Sequence, residues 1–150
     1  MRKPMTRDDS LRLLRECGWG VLAVVEELED GAVPVAVPVA YALDGEQLYF
    51  TMTEGRKLRA LRTNPWLCLT VADVTSLACW RSVAVIGRAV WLTDQAERAA
   101  AIAAFAASDR PAGFILDAAD LARFARASLV RVEIDQLHGF VSGERGATTS

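Results

Sequence analysis

The segment 80–92 constrains the fold most, because its side chains are apolar on both alternating faces. A strand with one face in water alternates between apolar and polar residues, whereas a strand covered on both faces is apolar throughout. The two faces here carry Val83, Val85, Ala89 and Trp91 on one side, and Ala84, Ile86, Val90 and Leu92 on the other. We therefore expect a barrel interior against one face and either a helix or a second subunit against the other.

Turn and cap residues divide the rest of the chain into short elements. Asp8 and Asp9 before a leucine-rich face, with Gly18 following, predict a helix over 7–17. Apolar or alternating stretches bounded by Gly, Asp and Pro predict further strands over 19–27, 33–43, 46–53, 66–72 and 128–135. Other helices are expected over 56–63, 94–107 and 117–127, with Pro111 and Gly113 interrupting the last two. This order predicts a mixed, mainly β fold: a small β-barrel with flanking short helices.

Length and composition fit a single domain. The chain has 150 residues and a formal net charge of −2, with three cysteines. No apolar run is long enough to cross a bilayer and the charged start lacks a secretory pattern, so we expect no membrane association and a cytoplasmic location. The dispersed arginines predict no nucleic-acid binding, and the cysteine spacing indicates neither disulfides nor a metal site. We expect one domain over 1–141 and a disordered polar tail over 142–150.

Two cations stand at a predicted helix start, directly after a strand that bears threonines. Thr51 and Thr53 share one face of the strand end, and Arg56 and Lys57 open the helix. The first N–H groups of a helix lack intrahelical partners and the macrodipole is positive there, so two cations are unfavourable unless an anion joins them. A phosphate would supply that anion. The alternative is a solvated basic helix face, since further arginines follow, and the spacing favours neither interpretation.

Two prolines mark one edge of the second predicted strand. Pro34 and Pro38 have the same parity, so both missing N–H groups face the same edge, which cannot carry a regular hydrogen-bond ladder. An edge strand protected from aggregation is the favoured interpretation. The alternative is a backbone left free to hydrogen-bond a planar ligand.

Four short motifs follow one another in order: Tyr49-Phe50-Thr51, Gly55-Arg56-Lys57, Asn64-Pro65 and the run from Trp80 to Ala89. In this order and spacing, the stretch 48–92 resembles the flavin-binding core of pyridoxamine 5′-phosphate oxidases and their smaller relatives, including nitroimidazole-reductase-like proteins. The resemblance implies an FMN-binding split β-barrel, working as a homodimer with two flavins at the interface.

The resemblance also implies roles for particular residues. In such families the Arg-Lys pair binds the FMN phosphate, the Thr of the preceding strand and its neighbours lie by the flavin, and the strand before offers backbone to the ring. Ser82 stands where the oxidases have a longer Gln that reaches the flavin from the partner subunit. The implied cofactor-binding residues are Pro38, Val39, Thr51, Met52, Thr53, Arg56, Lys57 and Ser82.

Two departures from the family pattern narrow the function. The oxidases end with an Arg-Leu-His-Asp-Arg run that handles the substrate phosphate, whereas the similar place here reads Gln136-Leu137-His138-Gly139-Phe140. The arginines are absent, so we do not expect pyridoxamine phosphate as the substrate. Many nitroimidazole-reductase-like members have His after the Tyr-Phe pair, where this chain has Thr51, so an activity that depends on that His is not expected either.

We therefore expect an FMN-dependent oxidoreductase acting on a small, planar, electron-poor substrate at a dimer-interface cleft, with the flavin performing the redox step. The alternatives are a non-catalytic flavin- or haem-binding module and a deazaflavin-dependent reductase. His138 is the only histidine and the chain has no Gly-x-Ser-x-Gly elbow, so a structural or exposed His is expected rather than a catalytic one. The acidic run from Glu26 to Asp30 is interpreted as a solvated loop. No residue is assigned as catalytic or metal-binding.

Overall fold

Seven strands and four helices form over residues 2–107 and 117–143, the ranges that this computed structural model describes. The strands are β1 (Arg2–Pro4), β2 (Trp19–Leu28), β3 (Gly31–Asp44), β4 (Gln47–Met52), β5 (Trp66–Ser76), β6 (Cys79–Trp91) and β7 (Ser128–Ser142). The helices are α1 (Arg7–Cys17), α2 (Arg56–Thr63), α3 (Gln95–Ala107) and α4 (Ala118–Arg126). The predictions that concern Pro111, Gly113 and residues 144–150 lie outside the described ranges.

Local signals explain where α1 begins and ends. The Thr6 side chain accepts a hydrogen bond from the Asp9 N–H at 3.1 Å, which satisfies one of the donors left free at the helix start. Gly18 ends the helix in the left-handed region, at φ 73°. The predicted bounds 7–17 are therefore confirmed. None of the helices in the described ranges is both long and apolar enough to cross a membrane.

The strands form one antiparallel sheet that closes on itself. The strand order is β1-β7-β4-β3-β2-β5-β6. The further pairing of β7 with β6 closes all of these strands except β1 into a six-stranded barrel. Two-residue turns connect β2 to β3, β3 to β4 and β5 to β6, as expected for hairpins. The predicted fold class, a mainly β split barrel with short flanking helices, is confirmed.

Strand β6, which is apolar on both faces, is covered on its inner face, but its other face is covered at one end only. Val83 and Val85 are fully buried in the barrel core. On the opposite face, Leu92 is buried in a second apolar cluster together with Ala101 and Phe105 of α3. Ala84 and Ile86 on that face are only half-buried. A helix therefore covers one end of the face, and the other end is left partly open.

Two parts of the sheet differ from the sequence prediction. The short β1 was not predicted, because three residues carry no periodicity; it pairs with the last residues of β7. That strand continues to Ser142 instead of ending at 135. Ser142 was assigned to a disordered tail, but it is buried, pairs with Arg2, and accepts a hydrogen bond from the Trp80 N–H at 3.1 Å. The domain therefore includes Ser142.

Candidate functional site

The start of α2 has the features of an anion site. Gly55 precedes the helix and provides no side-chain cap, and the first turn contains no acidic residue. The Arg59 N–H is bonded to the Gly55 carbonyl oxygen at 3.2 Å, so the N–H groups of residues 56–58 come before the first intrahelical bond. Arg56 and Lys57 add two cations to this positive end of the helix. A phosphate is the type of ligand that this arrangement favours.

Arg56 is held by an acidic residue of a neighbouring strand. Its Nε donates a hydrogen bond to Oε2 of Glu26 in β2, and the two side chains form an ion pair. The Arg56 side chain is 58% exposed and the Glu26 side chain 21% exposed. Lys57 is half-buried and forms no ion pair with a described residue. The two predicted phosphate-binding cations therefore lie together, and one of them already has an anionic partner.

A polar cavity of about 200 Å³ lies beside this helix. Its wall consists of the end of β2 and one side of α2, and Glu27 in that wall accepts a hydrogen bond from the Asn64 side-chain amide at 3.4 Å. The lining contains two carboxylates and two guanidinium groups, so its formal charges balance. The lining residues are Glu26, Glu27, Arg56, Arg59, Ala60 and Thr63.

The acidic side of this cavity is a correction to the sequence interpretation. The run from Glu26 to Asp30 was interpreted as a solvated loop, but only Glu29 and Asp30 form the turn, and Glu26 and Glu27 belong to β2. Glu26 and Arg56 are 30 residues apart in the chain. No local spacing rule connects residues at that distance, so their pairing could not be predicted from neighbouring residues.

The threonine-bearing strand end lies next to α2, as predicted, but its three residues differ in exposure. Thr51 is half-buried and pairs with Leu129 of β7, while Thr53 is exposed in the short connection between β4 and α2. The Met52 side chain is buried in the barrel core. Met52 could therefore contact a ligand only through its backbone.

Pro38 and Val39 lie on a strand with one free edge. Residues 31–40 of β3 pair with β2, and within the described ranges no strand pairs with their other side. Pro38 is exposed and Val39 is buried in the core. Both interpretations of the prolines fit this edge: it cannot carry a regular ladder, and its backbone groups face away from the sheet.

Ser82 is remote from the start of α2 within one chain. Leu67 of β5 pairs with Val24 of β2, and Ala72, further along β5, pairs with Ser82. At about 3.4 Å per residue, Leu67 and Ala72 are roughly 17 Å apart along β5. Glu26, the partner of Arg56, follows Val24 in the direction away from Ser82. One chain therefore does not bring Ser82 to the α2 start.

Ser82 belongs to a continuous surface of the sheet that we call the outer face. It consists of alternating residues of β2, β5 and β6 on the side opposite the core, and the strand registers place them next to one another. Three large apolar side chains on it are strongly exposed, Trp19, Val21 and Trp66. It includes Trp19, Val21, Ala23, Val25, Trp66, Cys68, Thr70, Ala72, Ser82, Ala84, Ile86 and Arg88, whose guanidinium group lies 5.3 Å from the centre of the Trp66 ring.

His138 has the exposed position expected for it. The side chain is exposed, and its Nε2 lies 2.9 Å from Oε1 of Gln136. No serine–histidine contact is present among the described residues. The histidine therefore has no nucleophile to activate in this part of the molecule.

Comparison with known proteins identifies the family. The family model described as "Pyridoxamine 5'-phosphate oxidase" matches residues 6–141 of this chain. The chain belongs to the pyridoxamine 5′-phosphate oxidase family. An uncharacterised protein of Rhizobium meliloti is 40% identical over 55 residues, a match that spans 37% of this chain and 36% of that relative. The resemblance inferred from the four motifs is thus confirmed at the level of the family.

Solved structures support the same fold. A candidate 5-nitroimidazole antibiotic resistance protein from Bacteroides thetaiotaomicron is similar at a TM-score of 0.72 and 17% identity, over 94% of this chain and 87% of that one. An FAD-binding protein from Mesorhizobium loti has a TM-score of 0.70 and 23% identity, over 95% and 99%. The haem storage protein from Vibrio cholerae has a TM-score of 0.68 and 15% identity, over 87% and 92%. At these identities the likeness concerns the fold.

Proposed function

We propose that this chain binds FMN as a homodimer and reduces a small, planar, electron-poor substrate in the cleft between the subunits. The observation that carries the proposal is the start of α2, where Arg56, Lys57 and three N–H groups without intrahelical partners lie beside a polar cavity. The FAD-binding relative and the candidate nitroimidazole resistance protein have the same barrel, which supports a flavin and an electron-poor substrate here.

The residues at the α2 start fit a phosphomonoester. The helix start has no side-chain cap that would compete for its N–H groups. No atom lies within 4 Å of the position that a Cβ on Gly55 would occupy, so there is open space at the N-cap. Two guanidinium groups and one ammonium group are near, and each charge-assisted bond to a phosphate contributes about 1.5–3 kcal/mol. Glu26 opposes this fit, because it carries the same charge as the ligand.

In the proposed complex the chain supplies binding and orientation. Arg56, Lys57 and the first N–H groups of α2 hold the phosphate, and the free edge of β3 near Pro38 and Val39 presents backbone groups to the ring. A bound flavin would supply the electron-transfer chemistry. The protein then needs no nucleophile of its own, which agrees with the exposed position of His138 beside Gln136.

The proposed homodimer uses the outer face. Trp19 and Val21 expose apolar surface at one end of this face and Trp66 does so at the other end, and exposed apolar surface of this kind marks interaction sites on soluble domains. Ser82 lies on the same face, more than about 17 Å along the sheet from the cavity of its own chain. A second copy packed on this face would cover the apolar side chains and supply its Ser82 to the flavin of the first.

Flavin titration tests the binding part of the proposal. We expect the purified protein to quench FMN fluorescence on binding, and the double variant Arg56→Ala/Lys57→Ala to lose at least about tenfold in affinity without a change in fold. The matched control is Arg7→Ala/Arg12→Ala, which removes the same charge from the exposed side of α1. Equal affinities for FMN in the wild type and the Arg56→Ala/Lys57→Ala protein would remove these residues from the site.

Turnover and absorbance separate the enzyme from the alternatives. Oxidation of a nicotinamide cofactor in the presence of a nitroaromatic or quinone acceptor, dependent on added FMN, would support the oxidoreductase. Flavin binding without turnover would favour a carrier or sensor. A Soret band after incubation with haemin, in place of flavin binding, would favour the haem-binding module, for which the haem storage protein of the same fold is the precedent. A preference for a deazaflavin over FMN in the titration would favour the deazaflavin-dependent reductase.

A further inference from the structure

The ion pair between Arg56 and Glu26 connects two elements that are fixed in the fold. Glu26 is part of the β2 ladder, where its backbone pairs with Val33, so its carboxylate extends from a strand and not from a mobile loop. Arg56 opens α2, which packs against the barrel through Leu58 and Leu61. Glu26 therefore has a defined place next to the guanidinium group. The Glu26 side chain is also less exposed than that of Arg56, 21% against 58%. It forms part of the cavity wall.

A phosphate at the α2 start would be a second anionic partner for the same guanidinium group. Arginine binds carboxylates and phosphates through the same planar set of N–H donors. Here the Nε donor is engaged by Glu26. A phosphate must either take this donor from Glu26 or share the guanidinium group with it. In both cases two like charges come close together beside a partly enclosed cavity, where water screens them less than at an open surface.

We propose that Glu26 limits the affinity of this site for phosphate by competing with the ligand for Arg56. This inference rests on the proposed function and adds a specificity-determining residue to it. Glu26 makes the binding of a phosphorylated flavin an exchange of one anion for another at Arg56. The effect depends on the phosphate: a flavin without a phosphate does not compete for Arg56, so Glu26 does not lower its affinity.

The variant Glu26→Gln tests this competition, because it keeps the size of the side chain and removes its charge. FMN is the phosphorylated probe, and riboflavin has the same ring without the phosphate. We expect Glu26→Gln to tighten FMN binding by about 3- to 5-fold, the upper part of the range that corresponds to loss of one partly exposed ion pair. Riboflavin binding should change by less than about twofold. Fluorescence titration measures both affinities, and the thermal midpoint without flavin checks that the variant is folded.

Two further comparisons test whether the effect of Glu26 acts through Arg56. Glu46→Gln breaks the Arg7–Glu46 ion pair, a pair of exposed side chains outside the cavity lining, and should leave FMN affinity unchanged. In an Arg56→Ala background, Glu26→Gln should give less than half of the gain, in logarithmic units, that it gives in the wild type. An equal gain in both backgrounds would mean that Glu26 repels the ligand directly, and the competition at Arg56 would be refuted.

The remaining outcomes separate this inference from the proposed function. If the wild type binds FMN but Glu26→Gln binds it equally or more weakly, Glu26 does not compete, and only the inference is overturned. If neither protein binds FMN, the proposed function fails and the inference fails with it. Should Glu26→Gln not fold, Glu26→Ala removes the same charge and is judged by the same criteria.

Discussion

The Tyr41 hydroxyl of β3 donates a hydrogen bond of 2.6 Å to the backbone carbonyl oxygen of Leu14 in α1. Leu14 is in the last turn of the helix, where carbonyl oxygens have no intrahelical partner. The Tyr41 N–H also donates to the carbonyl oxygen of Gly18, at 3.1 Å. One residue of the barrel therefore satisfies two acceptors at the end of α1 and fixes the helix on the core.

Replacement of Tyr41 by Phe should lower the free energy of unfolding by about 1–2 kcal/mol. The aromatic ring remains, but a buried carbonyl oxygen loses its donor. Equilibrium urea denaturation measures the change. The control is Tyr49→Phe, because Tyr49 is also buried but its hydroxyl has no hydrogen-bond partner among the described residues. Similar losses in the two variants would contradict a specific role for the bond between Tyr41 and Leu14.

Gly20 is required for the close approach of β2 and β5. A Cβ at this position would lie 2.6 Å from the carbonyl oxygen of Thr70 and 2.9 Å from Cγ2 of Val71. The first of these atoms belongs to the backbone and cannot rotate away. We expect Gly20→Ala to lower the free energy of unfolding by about 1–3 kcal/mol, the range seen for overpacked cores.

Thermal or urea unfolding of Gly20→Ala checks this expectation, and Gly55→Ala is the matched control. No atom lies within 4 Å of a Cβ at position 55, and its backbone is extended, with φ 164°. The control should change stability by less than about 0.5 kcal/mol. Equal effects at the two positions would show that the loss at Gly20 does not arise from contact with β5.

The elements that the sequence predicted best are those with signals at both ends. The helix α2 has the predicted bounds 56–63 because Gly55 precedes it and Asn64-Pro65 follows. In contrast, the length of β7 was underestimated. One residue of that strand, Asp135, has no partner in β6, because Ile86 pairs with Gln136 and Gly87 with Ile134. An extra residue shifts the alternation of side chains, so the strand pattern ends at the bulge although the strand continues.

The candidate site could be predicted only in its local part. Arg56 and Lys57 were identified because a helix start and two adjacent cations can be recognised from neighbouring residues. Glu26 was not identified, because its relation to Arg56 depends on how β2 packs against α2. Alternation in the segment 80–92 predicted a second apolar face of β6 that a helix or a second subunit would cover, and part of the outer face belongs to it. Sequence patterns thus determine which side of a strand is apolar, while the tertiary fold determines which charges meet.

Burial raises the pKa of the Cys17 thiol above its ordinary value of 9.0, and the negative charge of Asp73 adds to the shift. The thiol of the unfolded chain ionises at a lower pH than the folded one. The stabilisation from this group is therefore complete below pH 9.0 and decreases as the pH rises through the folded pKa. Alkylation by iodoacetamide, followed by mass spectrometry, should give a pH–rate midpoint for Cys17 above 9.0, because the thiolate is the reactive form.

The variant Asp73→Asn tests the cause of the second part of this shift. Removal of the carboxylate charge should lower the pKa of Cys17 and increase its alkylation rate at a fixed pH near 8.5. The Arg81 guanidinium group acts in the opposite direction on the same thiol and keeps Glu16 as a partner in the variant. A Cys17 midpoint at or below 9.0 in the wild type would contradict the burial effect.

The proposed homodimer predicts that a charge on the outer face separates the subunits. Val21 is 41% exposed and lies between Pro38 and Thr70 in the sheet. Glutamate at this position would place an unpaired charge in the interface, so Val21→Glu should sediment as a monomer at micromolar concentration while the wild type sediments as a dimer. The control is Leu77→Glu, in the turn between β5 and β6, where the side chain is 98% exposed; it should remain a dimer.

Flavin affinity should fall together with dimerisation. In the proposed complex the Ser82 side chain reaches the flavin of the other subunit, since it is more than about 17 Å from the cavity wall of its own chain. A monomeric Val21→Glu protein would keep Arg56 and Lys57 but lose the partner surface, so its affinity for FMN should be weaker than that of the Leu77→Glu control. Full FMN affinity in a protein that sediments as a monomer would show that one chain forms the complete site, and the outer face would then need a different role.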